Sequence, residues 1–170
     1  MQRFLIGLLG ALALATPATA APDLAKMGAA ELAVFMKAFP KGGELHNHLG
    51  GGAPAELILD WAVEDKLCID TVELAVRFTC TGDELKPAAD VLANEALRSA
   101  FLDSLTTRHP GFRGRSAHDQ FFTAFSRRGF MPIRAGDALA ETLNGLARQN
   151  TFYAELMMTP QFVPSRAIGD

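Results

Sequence analysis

The fold is decided by one stretch of the sequence, Pro40-Lys41-Gly42-Gly43-Glu44-Leu45-His46-Asn47-His48-Leu49-Gly50-Gly51-Gly52. It predicts a short strand over 43–49 that carries a His-x-His pair and runs into a glycine-rich turn. Successive strand side chains point to opposite faces, so His46 and His48 would share one face and Asn47 would take the other. The three glycines would let the backbone turn sharply and leave room for a ligand above the strand end.

The histidine pair is the first candidate for a functional site. Two imidazoles on one face of a strand end can take adjacent positions around one metal ion. A surface or packed pair is the alternative, because His-x-His alone is a weak signal. The context favours the metal: a strand, a glycine turn and an apolar helix after Pro54 begin a βα unit. In a βα barrel, active sites lie at the C-terminal ends of the strands, where this pair would fall.

Apolar spacing predicts the elements on either side of this strand. Helices are expected at 28–39, 54–66, 87–105, 116–129 and 137–150. A second strand is expected over 151–158, whose nearly continuous apolar run is typical of a strand buried on both faces. The long connection between the two strands predicts a parallel, right-handed crossover.

Composition bounds the class of protein. The chain has 170 residues with 49% hydrophobic content, which is enough for one domain with its own core. The formal net charge is −3 and no basic block occurs, so nothing indicates a nucleic-acid partner.

The first 20 residues have the pattern of a signal peptide. Arg3 supplies the positive region, 4–15 is an apolar run, and Ala18-Thr19-Ala20 is a small-x-small cleavage site. An uncleaved membrane anchor is the alternative, although the apolar run is short for a bilayer. We therefore expect a mature chain over 21–170 that is periplasmic or secreted, with no membrane association after cleavage.

Export permits a disulfide, and only Cys68 and Cys80 are present. We expect them to be bonded, with two buried thiols as the alternative, and no neighbouring cysteines suggest a zinc ribbon. Strand-like residues between them predict a small bent excursion from the barrel over 68–81.

Three segments together resemble the N-terminal part of the adenosine/AMP deaminase family, which belongs to the metal-dependent amidohydrolases. The stretch 40–51 resembles the first barrel strand of the family with its P-K-x-E-L-H-x-H-L-x-G signature. Residues 119–125, Asp-Gln-Phe-Phe-Thr-Ala-Phe, resemble the F-L-x-x-F helix that lines the nucleoside pocket. Residues 153–160, Tyr-Ala-Glu-Leu-Met-Met-Thr-Pro, resemble the second strand, Y-x-E-x-R-x-x-P.

The resemblance implies a fold and roles for individual residues. The fold would be α/β, the N-terminal portion of a (β/α)8 TIM-type barrel that is incomplete in this chain. His46 and His48 would be two ligands of a catalytic Zn²⁺. Gly50 stands where many members have an aspartate that holds the ribose, and it would offer only a backbone N–H. The remaining substrate-binding residues would be Phe121, Phe122 and Phe125, an apolar wall over the purine; ordinary helix core is the alternative for these three.

The resemblance also implies parts that these 170 residues do not contain. The family takes a third histidine, an aspartate and the glutamate of a later H-A-G-E motif, and no such motif occurs here. We therefore expect no catalytic residue in this sequence. The chain would be the first third of a longer enzyme, or a truncated product, and would be catalytically silent alone.

The implied function is zinc-dependent hydrolytic deamination of adenosine or a related aminopurine nucleoside. One alternative is another metal-dependent amidohydrolase acting on a different C–N bond. A second alternative is a non-catalytic exported protein that binds nucleosides or resembles a growth factor. The sequence gives no oligomeric state.

Overall fold

The computed structural model describes residues 21–108, 114–128 and 134–158. The chain divides into two compact units, Met1–Met36 and Lys37–Asp170. The expected signal peptide and the residues after Met158, including the predicted end of the second strand at Pro160, lie outside the described residues.

The first unit contains a short 3-10 helix at Leu24–Lys26. Asp23 caps this helix by accepting a hydrogen bond from the backbone N–H of Ala25 and pairs with the Lys26 ammonium at 2.9 Å. The first α-helix, α1, covers Ala29–Ala38 and begins in this unit. The helix predicted over 28–39 is therefore confirmed.

The second unit mixes short strands and helices. The strands are β1 (Gly43–His48), β2 (Cys68–Asp70), β3 (Ala75–Arg77), β4 (Leu85–Pro87) and β5 (Tyr153–Met157). The helices are α2 (Leu49–Gly52), α3 (Ala55–Glu64), α4 (Ala88–Ala93), α5 (Glu95–Ser104), α6 (Ala117–Arg127) and α7 (Ala135–Arg148).

The two predicted strands are neighbours. β1 and β5 pair in parallel, as expected, with Gly43 opposite Tyr153 and an irregularity of register between Glu44 and Asn47. A backbone hydrogen bond joins the residues just before the two strands. Gly42 adopts a φ of 72°, which suits glycine, and its carbonyl accepts the N–H of Phe152 at 2.9 Å.

The expectation that the second strand is buried on both faces is wrong for the described structure. The side chain of Tyr153 in β5 is 56% exposed, and Phe152 just before the strand is 71% exposed. The physical reason is that β5 belongs to a two-stranded sheet. A sheet of two strands has two unpaired edges and provides few neighbours to cover apolar side chains.

The core lies elsewhere, between helices and a three-stranded antiparallel sheet in the order β3-β2-β4. Its largest fully buried side chains are Phe101, Leu59, Ile69, Val91 and Cys68. The predicted disulfide is present between Cys68 and Cys80. The segment 68–81 is nevertheless not an excursion from the fold, because it supplies Ile69 and Val76 to the core.

The helix predicted over 87–105 is two helices. The chain breaks at Asn94, which closes α4 and caps α5 by accepting the N–H of Leu97 on its side-chain oxygen at 3.1 Å. Asparagine is favoured at the start of a helix because its side-chain oxygen accepts a backbone N–H that has no acceptor within the helix.

The class is thus α/β, as predicted, with small sheets. A closed barrel is not seen in the described residues. No described helix has both the length and the apolar content needed to cross a membrane.

Candidate metal and substrate site

The histidine pair stands at the end of β1 with both side chains exposed. The ring centres of His46 and His48 are 5.2 Å apart, with 69° between the ring planes. With about 2.0–2.1 Å for a zinc–nitrogen bond and about 1.2 Å from nitrogen to ring centre, two imidazoles at a tetrahedral angle lie about 5 Å apart. The separation fits two ligands of one zinc ion.

Asn47 behaves as the strand alternation predicts. Its amide oxygen is buried, whereas the imidazoles on either side of it are exposed. The pair therefore shares a face that Asn47 does not. That oxygen makes no hydrogen bond within the described parts of the chain.

The three glycines were predicted to let the backbone turn sharply, and the structure gives them a different role. Gly50–Gly52 belong to α2, a single helical turn that we call the glycine turn, and none of the three has a positive φ. Two of them, Gly51 and Gly52, are needed for space. A Cβ on Gly51 would lie 2.9 Å from Cζ of Phe125, and one on Gly52 would lie 2.3 Å from Oγ1 of Thr142. The turn therefore lies against α6 and α7 at distances that side chains would prevent.

The phenylalanines predicted to form a wall lie on α6 and form an aromatic face. Phe121 and Phe125 have ring centres 4.9 Å apart, and they lie 6.4 and 5.8 Å from the ring centre of His48. These spacings are typical of edge-to-face aromatic contacts. The structure therefore brings two of the predicted wall residues to the imidazole pair.

Gly50 lies beside the same ring, since a Cβ there would be 3.8 Å from Phe125. Phe122 is farther out. Its ring contacts Phe121 at 5.1 Å and His118 at 4.7 Å, and its side chain is 60% exposed. Gly50 thus lies within the candidate site, and Phe122 lies at its rim.

The exposure of the phenylalanines bears on whether they form an apolar wall or ordinary helix core. Phe121 is 47% exposed and Phe122 is 60% exposed, so neither is core in the described structure. The buried face of α6 instead carries Gln120 and Ala124. Phe125 is half-buried and packs on Gly51, so the aromatic face of α6 is exposed at Phe121 and Phe122 and packed at Phe125.

Polar contacts hold α6 in place. Ser116 caps the helix by accepting the N–H of Asp119 at 3.0 Å. Hydrogen bonding to Ser116, and then to His118, holds the pKa of the Asp119 carboxyl below its ordinary value. The buried Gln120 amide donates to the carbonyl oxygens at the end of α5, those of Asp103, Ser104 and Thr106, at 3.3, 2.9 and 3.1 Å.

Sequence reasoning missed three residues that shape the site: Gln120, Arg128 and Thr142. Arg128 closes α6 and donates from Nη1 to the carbonyl oxygen of Ala53 at 2.6 Å. Thr142 lies under Gly52. The available signal was the four-residue spacing of Gln120, Ala124 and Arg128, which places them on one helical face. An apolar stripe is usually assumed to be the buried one, and here it is not.

Among the described residues, His46 and His48 are the two candidate metal ligands at this place. No group of three or more histidine, cysteine, aspartate or glutamate side chains suited to a metal ion occurs in the described parts of the chain. A catalytic zinc takes three protein ligands and keeps one position open. The imidazole pair therefore fits as part of a centre whose other ligands come from different residues.

Comparison with known proteins gives no assignment: no family model matches the sequence, and no curated protein or solved structure matches the chain.

Proposed function

We propose that this chain supplies two zinc ligands and the purine-facing wall of an enzyme that hydrolytically deaminates adenosine or a related aminopurine nucleoside. One observation carries the proposal. The aromatic rings of Phe121 and Phe125 are presented within 6.4 Å of an exposed imidazole pair whose spacing suits a metal. A flat apolar ring could lie on that wall with its amino group toward the metal.

Each residue has a role in this proposal. His46 and His48 hold the ion. Zinc bound there would acidify water and so provide a nucleophile near neutral pH, and water would replace the amino group of the purine as ammonia leaves. Phe121 and Phe125 orient the base, and the backbone N–H of Gly50 is available to the sugar. The third histidine, the aspartate and the general acid implied by the family resemblance would come from other residues.

The proposed barrel and the proposed export have separate support. β1 and β5 are parallel neighbours, as consecutive strands of a βα barrel are, and His48 is the last residue of β1. Active sites of such barrels lie at that end of the strands. The disulfide between Cys68 and Cys80 suits an oxidising compartment, so we propose that the chain is periplasmic or secreted.

The first test is zinc binding by the imidazole pair. Structural zinc sites with full ligand sets contribute about 10–16 kcal/mol, so half a set, about 5–8 kcal/mol, corresponds to a Kd between about 1 μM and about 0.2 mM. Titration with ZnCl2, followed by NMR of the histidine ring nitrogens, should shift His46 and His48 together with one Kd. His46→Ala should abolish the shift of His48.

His118→Ala is the matched control, because His118 is an exposed histidine on α6 whose ring contacts Phe122. It should leave the zinc titration unchanged. Zinc-induced shifts confined to His118, or independent shifts of His46 and His48, would contradict the proposed centre.

The second test is nucleoside binding. Adenosine should shift the ring resonances of Phe121, Phe125 and His48, whereas ribose alone should not, since the wall recognises the base. Phe125→Ala should weaken the response. A response to zinc with none to adenosine at millimolar concentration would favour an amidohydrolase of another substrate. A response to adenosine with none to zinc would favour a non-catalytic nucleoside-binding protein.

A further inference from the structure

The side chain of Arg128 joins α6 to the glycine turn. Its Nη1 donates to the carbonyl oxygen of Ala53, the residue that closes the turn, at 2.6 Å. No ion pair within the described parts of the chain includes Arg128. Arg134 differs, because its guanidinium meets the carboxylates of Glu64, Asp65 and Asp137.

The environment of Arg128 makes that one hydrogen bond important. The side chain is half-buried, and burial lowers the pKa of its guanidinium. Removing a cation from water without a carboxylate partner is unfavourable, and a charge-assisted hydrogen bond offsets part of that cost. Loss of the bond would leave the guanidinium of Arg128 and the carbonyl oxygen of the buried Ala53 without this hydrogen bond.

Arg128 and Phe125 act on the same turn. They are three residues apart on α6, so their side chains leave the helix on one side. The ring of Phe125 lies on Gly51, where a Cβ would be 2.9 Å from its Cζ atom. Arg128 reaches the end of the same turn at Ala53, two residues further along the chain. The helix therefore meets the turn at two points, one packed and one hydrogen-bonded.

The turn follows the imidazole pair without a linker, since α2 begins at Leu49 directly after His48. Whatever fixes α6 on the turn also fixes the Phe125 ring at its 5.8 Å separation from the His48 ring. We propose that Arg128 is a positioning residue that clamps α6 to the glycine turn and so sets the distance between the aromatic wall and the metal-binding pair.

The consequence for substrate rests on the proposed function, but the clamp itself can be measured without zinc or nucleoside. The test variant is Arg128→Met, which keeps the length and apolar stem of the side chain and removes its donors. Arg127→Met is the matched control, since Nη1 of Arg127 is directed at the carbonyl oxygen of Ser104, at 3.4 Å, and not at the turn.

The readout is the nuclear Overhauser contact between the Phe125 ring and the Gly51 α-protons, together with that between the Phe125 and His48 rings. We expect Arg128→Met to lose both contacts and Arg127→Met to keep them. Persistence of both contacts in a folded Arg128→Met protein would overturn the proposal. Arg128→Lys retains a charged donor and should recover them in part. Should Arg128→Met fail to fold, contacts in Arg128→Lys that are weaker than in the wild type or lost support the clamp, and contacts of wild-type strength overturn it.

The affinities for adenosine and for zinc, measured separately, distinguish a positioning role of Arg128 from a general loss of stability. Loss of a hydrogen bond to a charged group corresponds to about tenfold or more, so adenosine should bind about tenfold more weakly to Arg128→Met while the zinc Kd is unchanged. An equal loss of affinity for adenosine and for zinc would mean that Arg128 only supports the fold. Failure of the wild-type chain to bind adenosine would end the proposed function, and the proton contacts would still decide whether Arg128 is a clamp.

Discussion

At the scale of single residues, the glycine turn is governed by clearance. Gly52 lies so close to α7 that an added Cβ would be 2.3 Å from Oγ1 and 3.3 Å from Cβ of Thr142. Because the side chain of Thr142 is short and buried, it has little freedom to move away. Gly50 has open space by comparison, with its nearest atom at 3.8 Å from an added Cβ.

Gly52→Ala should therefore destabilise the protein by about 1–3 kcal/mol, since the new methyl overpacks a closed contact. Urea unfolding monitored by far-UV circular dichroism measures this loss. Gly50→Ala is the control and should be neutral or more stable by up to about 1 kcal/mol, because alanine is the better helical residue. Adding Thr142→Ala to Gly52→Ala should restore part of the loss. Equal stabilities of the two single variants would contradict the clearance argument.

At the scale of elements, α6 presents the side chains of Phe121 and Phe122 outward and buries a polar one. The amide of Gln120 donates to three carbonyl oxygens at the end of α5. The last carbonyl groups of a helix have no N–H donor within the helix itself. The amide, which belongs to the neighbouring helix α6, thus acts as a cap for the end of α5. This contact holds the Gln120 side of α6 against the end of α5.

Gln120→Leu should cost about 1–3 kcal/mol of unfolding free energy, because it leaves buried carbonyl groups without a donor. Ser126→Ala is the control on the same helix and should change little, since the exposed Ser126 hydroxyl donates to the carbonyl oxygen of Thr123 in its own turn. The midpoint of urea unfolding tests both. A Gln120→Leu protein as stable as the wild type would show that water replaces the amide without loss.

At the scale of the whole second unit, an ion network joins the end of α3 to the start of α7. Nε and Nη2 of Arg134 donate to the two carboxylate oxygens of Asp65 at 2.8 and 2.5 Å, and Nη1 donates to Asp137 at 3.1 Å. The hydrogen bonds from Arg134 hold the pKa of the Asp65 carboxyl below its ordinary value of 3.8. The charged form of Asp65 is therefore the one that the folded chain favours.

The sign of the pH dependence follows from that shift. A carboxyl with a lowered pKa in the folded state adds stability above its unfolded pKa, and the addition is lost as the pH falls through the folded pKa. Arg134→Met should therefore lower the thermal midpoint at pH 7. The difference from wild type should shrink between about pH 5 and about pH 2. Arg148→Met is the control, because its Glu141 partner lies on the same helix. A wild-type advantage that persisted unchanged at low pH would contradict this assignment.

Local patterns in the sequence were sufficient for the α/β class, for α1, for the parallel pair β1 and β5 and for the disulfide. Periodicity and the presence of only two cysteines act over short distances or leave few alternatives. The family resemblance, and not a local pattern, assigned His46, His48 and the phenylalanine helix to one site.

Tertiary packing decided the rest. It broke the helix at Asn94, drew the segment 68–81 into the core and left β5 exposed, because burial depends on which elements meet and not on the apolar content of one element. It left Phe121 and Phe122 of α6 exposed, whereas Gln120 found its partners at the end of α5. It also made the glycine turn a matter of space, because the closeness of Phe125 and Thr142 arises only when distant parts of the chain pack together.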